Sequence, residues 1–243
     1  MRVPPVIGHR GASGHAPENT LVAIERAATL GARWVEVDAK LTADDVLILM
    51  HDDTLERTTN GRGAVAAIPY AEIIKLDAGS WFAPAFVGER IPTFAAFVAT
   101  CQRLGLGANV EIKPCPGRSR ATAVAVAEAL RGLWSAGTGN VLVSSFDPEA
   151  RSVFQVVAPE YPLGLLSSSP PTEAALDAAG RFASIHVDVK TLTKKEVKRL
   201  KSRGVPLLSY TVNEPKIARR LFGWGVDAVF SDVPDRILGA LNA

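Results

Sequence analysis

Four short runs in this sequence collect residue types that do proton-transfer and metal chemistry: His9-Arg10, Glu36-Val37-Asp38, His51-Asp52 and Glu111-Ile112-Lys113. Histidine carries protons near neutral pH. Three carboxylates drawn together need a balancing cation, and oxygen donors in that number suit a hard divalent ion, Mg2+ or Ca2+, with Mn2+ within the same class. Arginine presents a planar fork to paired oxygens, whereas lysine acts as a point charge. Each run alone has a plainer reading. An E-x-D on a strand is usually a polar edge, a His-Asp pair often caps a turn, and Glu111 with Lys113 makes an ordinary strand-end salt bridge. Their shared placement is what points to a site.

That placement comes from the elements that carry them. Short apolar runs at 6–8, 34–39, 46–50 and 110–112 read as strands, and each chemical run lies at a strand's carboxyl end. Alternate residues of a strand share a face, so Glu36 falls with Asp38 and Glu111 with Lys113, while Val35 and Val37 turn toward covering helices. Further strands are expected at 141–144, 162–166, 185–189, 206–210 and 228–230. Helices are expected from Leu21 to Ala28 and at 122–133, 172–179, 193–203, 214–222 and 233–241. Asn19 is a candidate N-cap for the first, with Gly31 beyond its end; Asp147-Pro148 starts another, and Thr193 with Glu196 forms a capping box. Eight strands, near residues 6, 35, 110, 142, 164, 187, 208 and 229, alternating with helices predict an α/β protein, a (β/α)8 TIM barrel. Residues 53–92 break the rhythm with turn-rich runs such as Thr58-Thr59-Asn60-Gly61 and Gly79-Ser80-Trp81-Phe82. They are expected to form an insertion after the second strand, over the catalytic face.

Length and composition agree with one such domain over 1–243. The 243 residues are 47% hydrophobic and 21% charged, which excludes a disordered chain, and a net charge of +2 gives no global case for nucleic acid or an acidic membrane. Cys101 and Cys115 form no C-x-x-C, residues 1–5 lack the apolar core of a signal peptide, and no apolar stretch would span a bilayer. A soluble, cytoplasmic protein is expected. Lys194, Lys195, Lys198, Arg199, Lys201 and Arg203 read as the solvated face of a helix.

In order along nearly the whole chain, His9-Arg10-Gly11-Ala12, Pro17-Glu18-Asn19-Thr20, Glu36-x-Asp38 and His51-Asp52 resemble the glycerophosphodiester phosphodiesterase family. So do Thr54-Leu55-x-Arg57-Thr58-Thr59-x-Gly61, Ile91-Pro92-Thr93, Glu111-x-Lys113, Ser145-Phe146, Thr211-Val212-Asn213, Gly225-Val226-Asp227-Ala228 and Ser231-Asp232. The resemblance implies that Glu36, Asp38 and Glu111 bind one divalent metal ion, that His9 and His51 are the acid–base pair, and that Arg10 and Lys113 hold phosphate. Glu18 and Asn19 would shape the mouth of the site. Phe146 would line the glycerol pocket with Tyr210, which stands where the family more often has tryptophan; Trp81 is a further lining candidate. His15 is expected at the surface, His186 and Asp188 in structural hydrogen bonding, and Asp52 and Asp53 either capping the next segment or orienting His51. The implied reaction is metal-dependent cleavage of a small glycerophosphodiester to glycerol 3-phosphate and an alcohol, by direct water attack or through a cyclic phosphate. The partner is that small molecule, without nucleic acid or a membrane anchor, and the protein a monomer or homodimer. Rival readings are a lysophospholipase D or cyclising lyase, with Trp81, Phe82 and Phe86 holding an acyl chain, and a non-catalytic phosphodiester-binding barrel.

Overall fold

Apolar and β-branched runs become the staves of a closed barrel. The computed structural model describes residues 3–134 and 140–241, so Met1 and Arg2 of the amino-terminal stretch lie outside the described residues. The strands are β1 (Val6–Gly8), β2 (Trp34–Leu41), β3 (Leu47–Leu49), β4 (Gly107–Ile112), β5 (Val141–Ser145), β6 (Leu163–Ser167), β7 (Ser184–Asp188), β8 (Leu207–Tyr210) and β9 (Ala228–Ser231). The sheet runs β1-β9-β8-β7-β6-β5-β4-β2-β3, and a further β1–β2 pairing closes it. Every barrel pairing is parallel, as strand–helix–strand crossovers require. The exception is β3, which runs antiparallel to the far end of β2, pairing Ala39 with Leu49 and Leu41 with Leu47. The expected strand at 46–50 is therefore a hairpin arm beyond the rim, and the eight staves are those expected from the sequence.

The helices are α1 (Leu21–Thr29), α2 (Tyr70–Ile73), α3 (Phe94–Leu104), α4 (Ser119–Leu133), α5 (Pro148–Val157), α6 (Glu173–Ala178), α7 (Lys194–Lys201), α8 (Pro215–Trp224) and α9 (Pro234–Leu241). Asp147, Thr172 and Thr193 cap theirs through side-chain oxygens. The cap of α1 is Thr20 rather than Asn19: Thr20 Oγ1 accepts from the Ala23 N–H, because Asn19 has a left-handed backbone and its amide is drawn to Asp38. α4 begins before the expected Thr122, whose hydroxyl donates back to the Arg118 carbonyl. α3 has no counterpart among the expected elements, although Phe94, Phe97, Val98 and Cys101 follow helical spacing, Thr93 caps it and Gly105 ends it at φ 66°.

The main core lies between helices and barrel wall. Val35 and Val37 of β2 pack there, as the strand period requires. Inside the barrel, Ile7, Trp34, Leu142, Leu208, Ala228 and Phe230 fill the lumen with apolar side chains. Trp34 packs on Gly107 so closely that a Cβ there would meet the indole nitrogen at 2.3 Å. Polar inward residues therefore collect toward the carboxyl ends of the strands. His186 is fully buried with Nε2 2.8 Å from Ser184 Oγ, while Asp188 accepts from the Lys190 N–H.

The segment 53–92 leaves the β2–β3 hairpin, and its Leu55, Val65, Ile73, Ala78 and Ile91 form a small separate core with Ile48, Met50 and Cys115 outside it. The Asp77 carboxylate gathers the N–H groups of Gly79, Ser80 and Gly88 within 2.8 Å, closing its outer loop. Asp53 ties the segment's start to the buried Lys40 ammonium, so it does not orient His51. On α7, Arg199 pairs with Glu173 and Glu196 and Lys201 with Asp227, and in the turn just beyond it Arg203 pairs with Asp177 and Glu173. Among the described residues no helix is long and apolar enough to cross a membrane.

Candidate active site

The turn after β1 is shaped by backbone. Arg10 takes φ 51° and Gly11 φ 85°, where a Cβ on Gly11 would lie 2.6 Å from the Ala23 carbonyl. This tight turn aims the Arg10 N–H at Glu36 Oε2 (2.9 Å) and presents both the His9 and Arg10 side chains to the barrel mouth. From β2, Glu36 and Asp38 point inward and are almost completely buried; Glu111 joins them from β4. One carboxylate oxygen from each of the three lies within 4.8 Å of the others.

The cluster's charge is unbalanced. Arg10 Nε stands 3.3 Å and Lys113 Nζ 3.7 Å from Asp38, and Lys113 donates to Glu111 at 2.9 Å. Burial works against ionising Asp38, but Arg10, Lys113, His51 and the Asn19 amide outweigh it and hold its pKa below the usual range. Glu36 and Glu111 lack that much support. Burial, then the neighbouring carboxylates, push Glu36 well above its ordinary value and Glu111 up to about 7. Two cations face three buried carboxylates. A further positive charge with oxygen affinity relieves this arrangement, so the donor set fits a hard divalent ion. Burial opposes the charge on Arg10 and Lys113 too, yet the surrounding carboxylates raise both pKa values.

Each of the two histidines rests on a carboxylate. His9 Nδ1 lies 2.6 Å from Asp232 Oδ1, and its Nε2 faces Glu36 at 3.9 Å. His51 Nδ1 lies 2.6 Å from Asp52 Oδ1. An ionised carboxylate only accepts, so each Nδ1 carries the hydrogen, which leaves Nε2 as the nitrogen that exchanges a proton. Burial lowers the pKa of His51. Asp232 is itself held by Ser13 Oγ at 2.7 Å and Asn213 Nδ2 at 2.6 Å. Burial opposes its charge, but the hydrogen bond to His9 first, and then those to Asn213 and Ser13, keep its pKa low.

A cavity of about 390 Å³ opens above the cluster, lined by His9, Arg10, Glu36, His51, Glu111, Lys113, Phe146 and Tyr210 among others. The Phe146 and Tyr210 rings meet edge to face at 5.9 Å, with Lys113 Nζ 5.4 Å from the Phe146 centroid, and the Tyr210 hydroxyl donates to the Ser167 carbonyl. Glu18, Asn19 and Asp38 do not line it. Asn19 donates to Asp38 Oδ2 at 2.8 Å and accepts from the Asp38 N–H at 3.2 Å, whereas Glu18 pairs with Arg10 at 2.7 Å and with Arg57. Trp81 packs against Phe82 away from this cavity, and His15 bonds Asp235. Sequence reasoning gave no role to Asp232, Asn213 or Arg57, although all three fall inside runs that carried the family resemblance.

The chain matches the glycerophosphoryl diester phosphodiesterase family over residues 9–236. A glycerophosphodiester phosphodiesterase of Caldanaerobacter subterraneus subsp. tengcongensis is 34% identical over 242 residues, covering 98% of this chain and 97% of that protein. One from Bacillus subtilis is 35% identical over 248 residues, covering 94% and 83%. Among solved structures, an Oleispira antarctica phosphodiesterase in complex with the product sn-glycerol-3-phosphate superposes with a TM-score of 0.95 at 36% identity, covering 99% of this chain and 98% of that one. The chain belongs to the glycerophosphoryl diester phosphodiesterase family of enzymes.

Proposed function

We propose that this enzyme cleaves small glycerophosphodiesters to glycerol 3-phosphate and an alcohol. One observation carries the reading: two carboxylate-backed histidines and two cationic side chains line a single cavity together with Glu36 and Glu111, two members of a buried three-carboxylate cluster. Glu36, Asp38 and Glu111 would hold a divalent metal ion, Mg2+, Ca2+ or Mn2+. When bound, such an ion supplies charge neutralisation to the phosphodiester and its developing negative charge.

The remaining work falls to the protein's own groups. Arg10 and Lys113 draw the anionic phosphodiester into the cavity and fix its non-bridging oxygens. His9 and His51 enter from the ends of β1 and β3, and their free Nε2 atoms divide the proton work. One takes the proton of the attacking hydroxyl; the other, protonated, gives one to the departing alkoxide. Asp232 and Asp52 keep both rings in that tautomer. Phe146 and Tyr210 supply the apolar wall for the glycerol carbons. The attacking oxygen is either water or the substrate's neighbouring glycerol hydroxyl, which would give a cyclic phosphate that water then opens. Trp81, Phe82 and Phe86 pack on one another, and none lines the cavity, which favours a polar alcohol over an acyl chain.

The test is release of choline or ethanolamine from glycerophosphocholine, glycerophosphoethanolamine and lysophosphatidylcholine, with glycerol 3-phosphate the co-product of the first two and an acylglycerol phosphate that of the third, with chelator and with each metal restored. Release from the two polar diesters, lost with chelator and recovered with a metal, is expected. Faster turnover of lysophosphatidylcholine would favour the phospholipase reading, and binding without turnover would favour the non-catalytic one. Single-turnover reactions in oxygen-18 water, with a search for the cyclic species, separate the two routes.

A further inference from the structure

Arg57 belongs to no strand or helix and lies in the inserted segment, yet it meets both sides of the site. Its Nε and Nη2 donate to Asp52 at 2.6 and 2.9 Å, and its Nη1 and Nη2 donate to Glu18 at 2.8 Å each. Beyond these two carboxylates the contacts continue inward. Asp52 holds His51 Nδ1 at 2.6 Å, and Glu18 Oε1, which accepts from Arg57 Nη2, also accepts from Arg10 Nη1 at 2.7 Å. A single guanidinium thus joins one of the two histidines to the phosphate-binding arginine through two short bridges.

We infer that Arg57 is a positioning residue: it fixes the Asp52–His51 pair and the Glu18–Arg10 pair relative to each other, and through it the inserted segment sets the geometry of proton transfer. The inference rests on the function proposed above. Direct contact with substrate is the rival role, since Arg57 is 45% exposed. The donor count argues against it. A guanidinium has five N–H donors, and four of them point at Asp52 and Glu18. The two carboxylates also offset its charge, leaving little to attract a further anion. Two planar forks at right spacing need guanidinium geometry; an ammonium has no counterpart to that shape.

Three readouts test this on the full-length enzyme. In steady-state assays with glycerophosphocholine and glycerophosphoglycerol, Arg57→Ala should lower kcat about 10–100-fold, as loss of an orienting contact or a small misplacement does, with KM nearly unchanged and the same loss for both alcohols. Arg57→Lys should stay near the alanine level, while millimolar ethylguanidinium should restore part of the kcat of Arg57→Ala. Proton NMR of the ring N–H signals should show the His51 Nδ1–H resonance shifted or broadened in Arg57→Ala, with that of His9, held separately by Asp232, unmoved as the internal control. A raised KM at constant kcat, or a loss confined to one alcohol, would make Arg57 a substrate contact. A loss that lysine repairs, or that follows the melting temperature without guanidinium rescue, would make it a fold-stabilising charge. If the wild type releases glycerol 3-phosphate from neither diester, the functional reading fails, and the His51 resonance still decides whether Arg57 positions that ring.

Discussion

Asn19 shows how much of this site lies in groups that touch no substrate. Its backbone sits at φ 58°, a region open to asparagine and glycine, and both ends of its amide are committed to Asp38. Asn19→Gly keeps the backbone conformation and removes both side-chain contacts. Divalent-ion affinity should fall about 10–100-fold, as when a ligand loses its supporting hydrogen bonds. Calorimetric titration with Mn2+ checks this, and an unchanged affinity would show that Asp38 needs no such support. The residues that chemistry demands by type, His9, Glu36, His51 and Glu111, were legible in the sequence because they sit at strand ends with the right spacing. Their partners were not. His9 and Asp232 lie 223 residues apart, and only closure of the barrel between β1 and β9 brings them within 2.6 Å.

At the level of elements, the strands were legible and their directions less so. Apolar runs mark all eight staves, six of them with β-branched residues, but nothing in Leu47-Ile48-Leu49 says that it runs antiparallel to β2; that follows from the short connection between them. α3 escaped because its alanines blur the apolar stripe and Ile91-Pro92-Thr93 reads as the end of the insertion. The turn after β1 gives the sharpest test of element geometry. Gly11→Ala forces a side chain against the Ala23 backbone at φ 85° and should cost about 1–3 kcal/mol of stability. It should also lower turnover, since the turn aims His9 and Arg10. Thr93→Ala removes the cap of α3 at about 1 kcal/mol and should leave kcat unchanged. Urea unfolding and turnover measured on both variants decide it; equal turnover would show that the turn does not set the site.

For the whole molecule, the buried His186 links stability to pH. Burial pushes its pKa down to about 3, whereas in the unfolded chain it titrates near the ordinary value of about 6.5. Between those values the unfolded state takes up a proton that the folded state refuses. Its contribution is therefore complete above about pH 6.5 and declines as the pH falls toward 3, by up to ~1.4 kcal/mol per pH unit. Urea unfolding at pH 6.5 and pH 5.5 should show that slope as the difference between the wild type and His186→Gln, because the buried Glu36 and Glu111, whose raised pKa values work in the opposite sense over this range, are common to both. An identical slope in the variant would assign the effect to other groups.

The small core under the inserted segment has a further consequence at this scale. Its buried residues pack with Ile48, Met50 and Cys115 in a cluster separate from the main core, and outside α2 the segment is turns and two short 3-10 helices. Such a unit opens at lower free energy than the staves beneath it. Arg57 travels with it. A fluctuation that lifts this segment leaves the barrel closed and its helices packed, yet releases the bridge between His51 and Arg10. Hydrogen exchange faster in 53–92 than in the staves would mean that the site comes apart before the fold does.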